Sequence, residues 1–135
     1  MGTVSEHYEL AIKLKRLSGG PSLNPIGDPD WSVVTLFYAA LHVTSAYLVA
    51  TGVALPSSHT SMMSAIRSHP DIDERFLKAY RSLQQFSWNV RYNPTYCLVA
   101  NQKWQAFDRF RVVRTHTEKP VRLCMGLDEL VSQLA

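Results

Sequence analysis

The sequence predicts an all-α fold, a compact antiparallel bundle of four to five helices. Three observations carry that prediction. Apolar residues recur at intervals of three and four along several long segments, the spacing of one helix face. Clusters of Gly, Pro, Ser and Asn separate those segments and act as stops. The chain has 135 residues, 46% hydrophobic and 19% charged, which is enough for one domain with a buried core.

The first helix is expected over Val4–Leu17, where Thr3 and Glu6 have the spacing of a capping box. Tyr8, Ala11, Ile12 and Lys15 line one stripe, with Leu10, Leu14 and Leu17 beside it. Ser18, Gly19, Gly20 and Pro21 stop it. Asp28 and Pro29 suit the cap and first position of a second helix, and Asp30 favours its positive end. Trp31, Val34, Tyr38, Leu41, Ser45 and Leu48 follow at helical spacing, while Phe37, Ala40, Val43 and Tyr47 occupy other faces. A helix apolar nearly all round needs partners on every side. In so small a domain a second copy of the chain is one candidate for that cover. Thr51 and Gly52 end the helix.

A short third helix is expected over Ser58–Ser68, capped by Ser57 or Ser58, with Met62, Ala65 and Ile66 inward. The fourth spans Asp71–Tyr92. Two capping boxes compete for its start, Asp71 with Glu74 and Ser68 with Asp71. Ile72, Phe76, Tyr80, Leu83 and Val90 face inward; Leu77, Gln84, Trp88 and Arg91 form the next stripe. Asn93-Pro94 ends it. A fifth helix is read over Leu98–Val113, carried by Trp104, Phe107 and Phe110. His116–Pro120 reads as a loop. A last short helix lies near Leu127–Leu134, and Val121–Cys124 is either extended or part of it. Residues 1–135 thus form one domain, with 117–135 as a C-terminal extension.

The formal charge is +3, from 14 Lys and Arg against 11 Asp and Glu. This permits contact with nucleic acid without demanding it. Arg109, Arg111, Arg114, Lys119 and Arg122 gather late in the chain. Cys97 and Cys124 are far apart and form no C-x-x-C pair, so a disulfide scaffold is not indicated. With no signal-peptide pattern, a cytoplasmic location is expected. Ser32, Thr35, His42, Thr44 and Ser45 interrupt the apolar run Trp31–Ala50, which reads as a buried helix and not a membrane span. The five histidines fall in no metal-ligand pattern, so no metal and no cofactor are expected.

Three polar positions stand out. His42 lies four residues after Tyr38 on the same face of helix two. It is either a half-buried structural histidine or a group that moves a proton or orients a substrate. His59 opens helix three and is either a packing residue near the cap or, if helices two and three meet at their shared end, a neighbour of helix four. Arg91 closes helix four beside Tyr92. A guanidinium there can grip phosphate or carboxylate as a planar fork, or complement the helix dipole and tie the following loop. Tyr96 lies five residues on and can assist in either role.

Asp30-Trp31, the run Leu36-Phe37-Tyr38-Ala39-Ala40-Leu41-His42, Ala46, Leu48, Gly52, Ser58-His59, Leu77, Tyr80, Leu83 and Arg91-Tyr92 together resemble the HEPN domain family. The similarity is to a branch with a D-W, F-Y-A-A-x-H, S-H and R-Y layout, and it covers roughly residues 5 to 115. The resemblance implies a four- or five-helix bundle that dimerises. It also implies a site at Arg91, because many members are metal-independent ribonucleases. Those members carry an arginine, a polar neighbour and a histidine four to six residues on, and two such motifs meet across the dimer. Here Tyr92 fills the neighbouring position, and Tyr96, Cys97 and Leu98 stand where the histidine belongs.

An arginine can stabilise phosphorane charge but stays protonated and is no base. A tyrosine, with an ordinary pKa of about 10, is a poor base at neutral pH. His42 or His59 would have to replace the missing imidazole. Three functions follow. One is a dimer that binds RNA, a nucleotide or a protein partner in a groove lined by Arg91, Tyr92, Tyr38, His42 and His59. By resemblance, its partner is an antitoxin or a nucleotidyltransferase, and its setting toxin–antitoxin or defence. A second is an endoribonuclease leaving 2′,3′-cyclic phosphate, with Arg91, His42, His59 and Tyr96 as candidate catalytic groups. The third is a structural dimerisation module in which Arg91 is held by Asp30, Asp71, Asp73 or a carbonyl.

Overall fold

The computed structural model describes residues 3–17, 29–56, 58–93, 100–122 and 128–134. Among them are six helices: α1 (Val4–Leu17), α2 (Pro29–Ala50), α3 (His59–Ser68), α4 (Glu74–Tyr92), α5 (Ala100–Arg122) and α6 (Asp128–Leu134). No described residue is in a strand. The all-α bundle predicted from the sequence is the fold.

Local chemistry sets the helix ends. At α1, the Glu6 N–H donates to Thr3 Oγ1 at 3.2 Å, and the Thr3 N–H donates to Glu6 Oε1 at 2.9 Å. These reciprocal bonds are the expected capping box. At the end of α2, Gly52 has φ +84°. Its N–H donates to the Val49 carbonyl at 3.1 Å, and that of Val53 reaches the Leu48 carbonyl at 2.8 Å. That pair of bonds is a Schellman ending, which favours glycine at the left-handed position. Ser58 caps α3 by accepting from the Ser61 N–H at 3.1 Å. The expected cap at Asp28 lies outside the described residues.

Two boundaries differ from the sequence reading. α4 begins at Glu74, and its cap is Asp73, which accepts from the Phe76 N–H at 2.9 Å. Neither expected capping box forms. His69 is the reason: its Nδ1 accepts from the Asp71 N–H at 3.1 Å, and its carbonyl accepts from the Ile72 N–H at 3.3 Å. Asp71 is thereby held in the turn. The second difference is at His116–Pro120, read as a loop but part of α5. Val113, Thr117 and Val121 are buried at four-residue spacing. Their burial on one face extends the helix despite weak local propensity. Thr117 Oγ1 donates to the Val113 carbonyl at 3.1 Å, and Arg114 pairs with Glu118 one turn on. Pro120 lies only two residues before the helix ends at Arg122.

α2 is the axis of the bundle and packs against α1, α4 and α5. Val33, Leu36, Phe37, Val43 and Leu48 are fully buried, and Tyr47 nearly so. No side chain from Ser32 to Ala50 is exposed. The segment is long and apolar enough to cross a membrane by length and composition. Here three helices of the same chain cover it, so its burial needs no second copy. The hydroxyls of Thr44 and Ser45 are satisfied locally, donating to the carbonyls of Ala40 and Leu41, each at 2.8 Å.

The end of α4 lies against the first half of α2, where Arg91 meets Tyr38. Its start lies near the end of α2, where Phe76 and Tyr47 both contact the His116 ring at 5.1 and 5.7 Å. α2 and α4 therefore run antiparallel. Between those ends the Phe37 and Tyr80 rings meet edge to face at 5.8 Å. α6 docks on α1, with Val131 and Leu134 buried, and Lys15 Nζ donates to the Leu134 carbonyl at 2.7 Å.

Leu83 is fully buried on the inward stripe of α4. Leu83→Ala should cost about 2–5 kcal/mol, measured as a lowered urea midpoint with unchanged slope. An unchanged midpoint would remove Leu83 from the core.

Candidate functional site

Arg91 sits on the last turn of α4, and its guanidinium is half-buried. Nε donates to the Ser87 carbonyl one turn back at 3.3 Å, and Nη1 donates to the Tyr38 hydroxyl at 2.8 Å. The guanidinium carbon lies 5.5 Å from the Tyr38 ring centroid and 5.1 Å from that of Tyr92. Among the described residues no carboxylate pairs with it. Asp73, one of its suggested internal partners, caps α4 instead. Among the described residues the charge is therefore positioned by a phenol and a carbonyl and not neutralised; the side chain of Asp30, another suggested partner, lies outside them. Five N–H donors stand on a guanidinium, and two are engaged here.

Tyr38 joins α4 to α3 at this point. The His59 ring lies 6.4 Å from the Tyr38 ring and 6.0 Å from Phe37. The expected approach of His59 at an end shared by helices two and three does not occur: α3 packs little on α2, and His59 lies instead beside Phe37 and Tyr38 in the first half of α2, next to the phenol that holds Arg91. His59 is exposed, so its imidazole can reach a ligand as well as the phenol. Two aromatic side chains complete the neighbourhood. Trp88 and Tyr92, one turn apart on α4, have ring centroids 5.6 Å apart. They are 52% and 61% exposed, unusual for large aromatics in a core-forming helix. Sequence reasoning placed Trp88 on the Arg91 stripe but did not assign it to the site. The four-residue spacing of Trp88 and Tyr92 is the signal that could have done so.

His42 goes elsewhere. Its Nδ1 lies 3.0 Å from Nδ1 of His7 on α1, with the two rings stacked at 5.3 Å. One nitrogen must carry the proton and the other accept it. Burial pushes both imidazoles below the ordinary histidine value. Glu6 opposes this at His7, and His7 adds to it at His42. His7 Nε2 is also buried with no partner among the described residues. The pair is therefore a neutral clamp between α1 and α2. His7 was not singled out from the sequence, because its meeting with His42 depends on how the two helices cross. Tyr96 and Cys97 lie outside the described residues, as does Cys124.

The arrangement can offer an anion the free donors of Arg91, with the Tyr38 hydroxyl beside them, the His59 imidazole near the Tyr38 ring, and exposed rings for stacking. No group of three or more His, Cys, Asp or Glu suited to a metal occurs among the described residues. Searches against protein-family models, curated proteins and solved structures found no match for this chain.

The His7–His42 clamp sets a pH dependence. Below a pH of about 6.5 the unfolded chain takes up protons that these half-buried imidazoles resist in the folded chain. Their contribution is present in full above that pH and is lost as pH falls below it. Thermal melts from pH 7.5 to 5.5 should show a falling Tm, with a smaller fall in the His7→Gln/His42→Gln variant. An identical fall in both proteins would show that the clamp does not titrate in this way.

Proposed function

We propose that this chain is a HEPN-like domain that binds an RNA or nucleotide phosphate at Arg91, in a cleft completed by a second copy of the chain. The observation that carries this reading is the Arg91 guanidinium, oriented by the Tyr38 hydroxyl at 2.8 Å with no carboxylate partner among the described residues. A charge held in place and left uncompensated is suited to a phosphate, which takes two parallel N–H bonds from a guanidinium. Trp88 and Tyr92 add exposed rings on which a base can stack. Trp, Tyr and Arg are also the residue types that anchor protein interfaces, which supports pairing of two copies at this end. An antitoxin or nucleotidyltransferase partner, in a toxin–antitoxin or defence setting, belongs to the same reading through the family resemblance.

A second reading is a metal-independent endoribonuclease. It is favoured by His59, whose ring shares Tyr38 with Arg91. In this reading Arg91 stabilises the phosphorane, and His59 moves the proton in place of the histidine absent after Arg91. The products would carry 2′,3′-cyclic phosphate.

Arg91→Ala should weaken binding of a labelled single-stranded RNA about tenfold or more, with Arg91→Lys recovering only part of it. Fluorescence anisotropy reads the affinity, and a thermal melt checks the fold. A lowered Tm with unchanged affinity would make Arg91 a structural tie and overturn the proposal. For the nuclease reading, structured RNA is incubated with chelator present. Cyclic-phosphate ends lost in both Arg91→Ala and His59→Ala support it; equal cleavage by either variant rejects it.

A further inference from the structure

The charges of this chain are not spread evenly. A groove of about 940 Å³ runs between α4 and α5, away from Arg91. Arg75, Lys78 and Arg81 stand on its α4 side, and Arg109 and Arg111 on its α5 side. All five are exposed. The two carboxylates that line it are Asp73 and Asp108. The excess of three equals the formal charge of the whole chain, so positive and negative residues balance everywhere else. Both carboxylates already have roles: Asp73 caps α4, and Asp108 lies 3.3 Å from Arg111. Arg75, Lys78, Arg81 and Arg109 form no ion pair among the described residues.

We propose that this groove binds the phosphodiester backbone of a nucleic-acid strand. Cations on both walls of one concavity focus the field where a chain of phosphates can lie between them. Three features favour nucleic acid over an acidic protein. Among the described residues the apolar lining is limited to Ala79 and Val112, whereas a protein partner needs an apolar or aromatic centre. Ser82, Thr115 and His116 supply hydrogen-bonding groups of the kind that position phosphate and sugar. Among the described residues no Phe, Tyr or Trp lines the groove, so the contacts go to the backbone and not to stacked bases. The groove therefore reads charge and shape and is indifferent to sequence.

This inference stands apart from the Arg91 cleft. Arg81 and Arg91 are separated by about 15 Å along α4 and by about 80° around it. The groove on its own extends any nucleic-acid contact to a second face of the same helix.

The test uses the whole chain in the Arg91→Ala background, so that the cleft and the groove are read separately. Labelled 20-nucleotide single-stranded RNA, single-stranded DNA of the same sequence and the RNA duplex are titrated by anisotropy between 50 and 200 mM NaCl. RNA and DNA single strands should bind within a few-fold of each other, and the duplex arm shows which backbone geometry fits better. With four to five phosphates neutralised, log affinity should fall against log salt with a slope of about −3 for a single strand. Arg75→Glu/Arg81→Glu/Arg109→Glu should bind at least tenfold more weakly at 50 mM salt, with the slope reduced to about −1.5. Lys13→Glu/Arg16→Glu/Arg67→Glu makes the same change in net charge on other exposed faces and should stay within twofold of the parent. If the groove triple variant does not fold by circular dichroism, Arg75→Gln/Arg81→Gln/Arg109→Gln takes its place. Equal weakening by the two triple variants, an unchanged slope, or no binding by the parent at 50 mM salt overturns the proposal. So does polyglutamate bound in preference to RNA, the result expected of an acidic-protein dock.

Discussion

Everything in this fold depends on covering α2. A helix of 22 residues with no exposed side chain from Ser32 to Ala50 has to be wrapped on all sides. α1, α4 and α5 supply that cover, and each does so with a narrow apolar stripe. Tyr8, Ala11 and Ile12 come from α1, Phe76, Tyr80 and Leu83 from α4, and Phe107, Phe110 and Val113 from α5. Each large side chain buried in this way contributes about 1.5–3 kcal/mol before conformational entropy is counted. The outer helices are free to carry charge on their other faces because their inner stripes suffice for α2.

That division of labour also places the chemistry. Tyr38 lies where the α2 surface meets the edge of the bundle, half-buried. Its ring contacts Phe37 at 5.4 Å, while its hydroxyl accepts from Arg91. A phenol with its body in the core and its oxygen at the edge is a fixed post for a guanidinium. Arg91 would therefore lose little further freedom on meeting the proposed anion, an advantage of residues held on helices and not on loops.

Much of this was legible in the sequence, and the exceptions have physical causes. The helix spans followed from three-and-four spacing, and the Thr3–Glu6 and Gly52 endings from residue types with one favoured geometry. The start of α4 was misplaced because His69 holds the Asp71 N–H, a contact between positions that each look like ordinary turn residues. The loop expected at His116–Pro120 is helical because Thr117 and Val121 are buried, and tertiary burial overrides the local signal of Thr, Lys and Pro. Arg91, Tyr38 and His59 were recognised singly, and the structure joins them through one phenol. His42 was drawn away by His7, a partner 35 positions earlier that no local pattern announces.

The absence of a histidine shortly after Arg91 bears differently on binding and on chemistry. Binding a phosphate requires charge and fixed donors, and Arg91 has both with Tyr38 behind it. Strand cleavage also requires a group that takes a proton from the 2′-hydroxyl near neutral pH. Tyr38 meets that demand poorly, because its oxygen already accepts from the Arg91 guanidinium. His42 is paired with His7 at the α1–α2 contact, and burial disfavours its charged form. His59 is the exposed imidazole beside the Tyr38 ring among the described residues, carried on a separate helix whose cap is Ser58. The whole case for catalysis thus rests on the position of α3, whereas the case for binding rests on α2 and α4 alone. A shift of α3 would take His59 away from Tyr38 and leave the Arg91–Tyr38 contact intact, so of the two proposed readings binding depends on fewer elements.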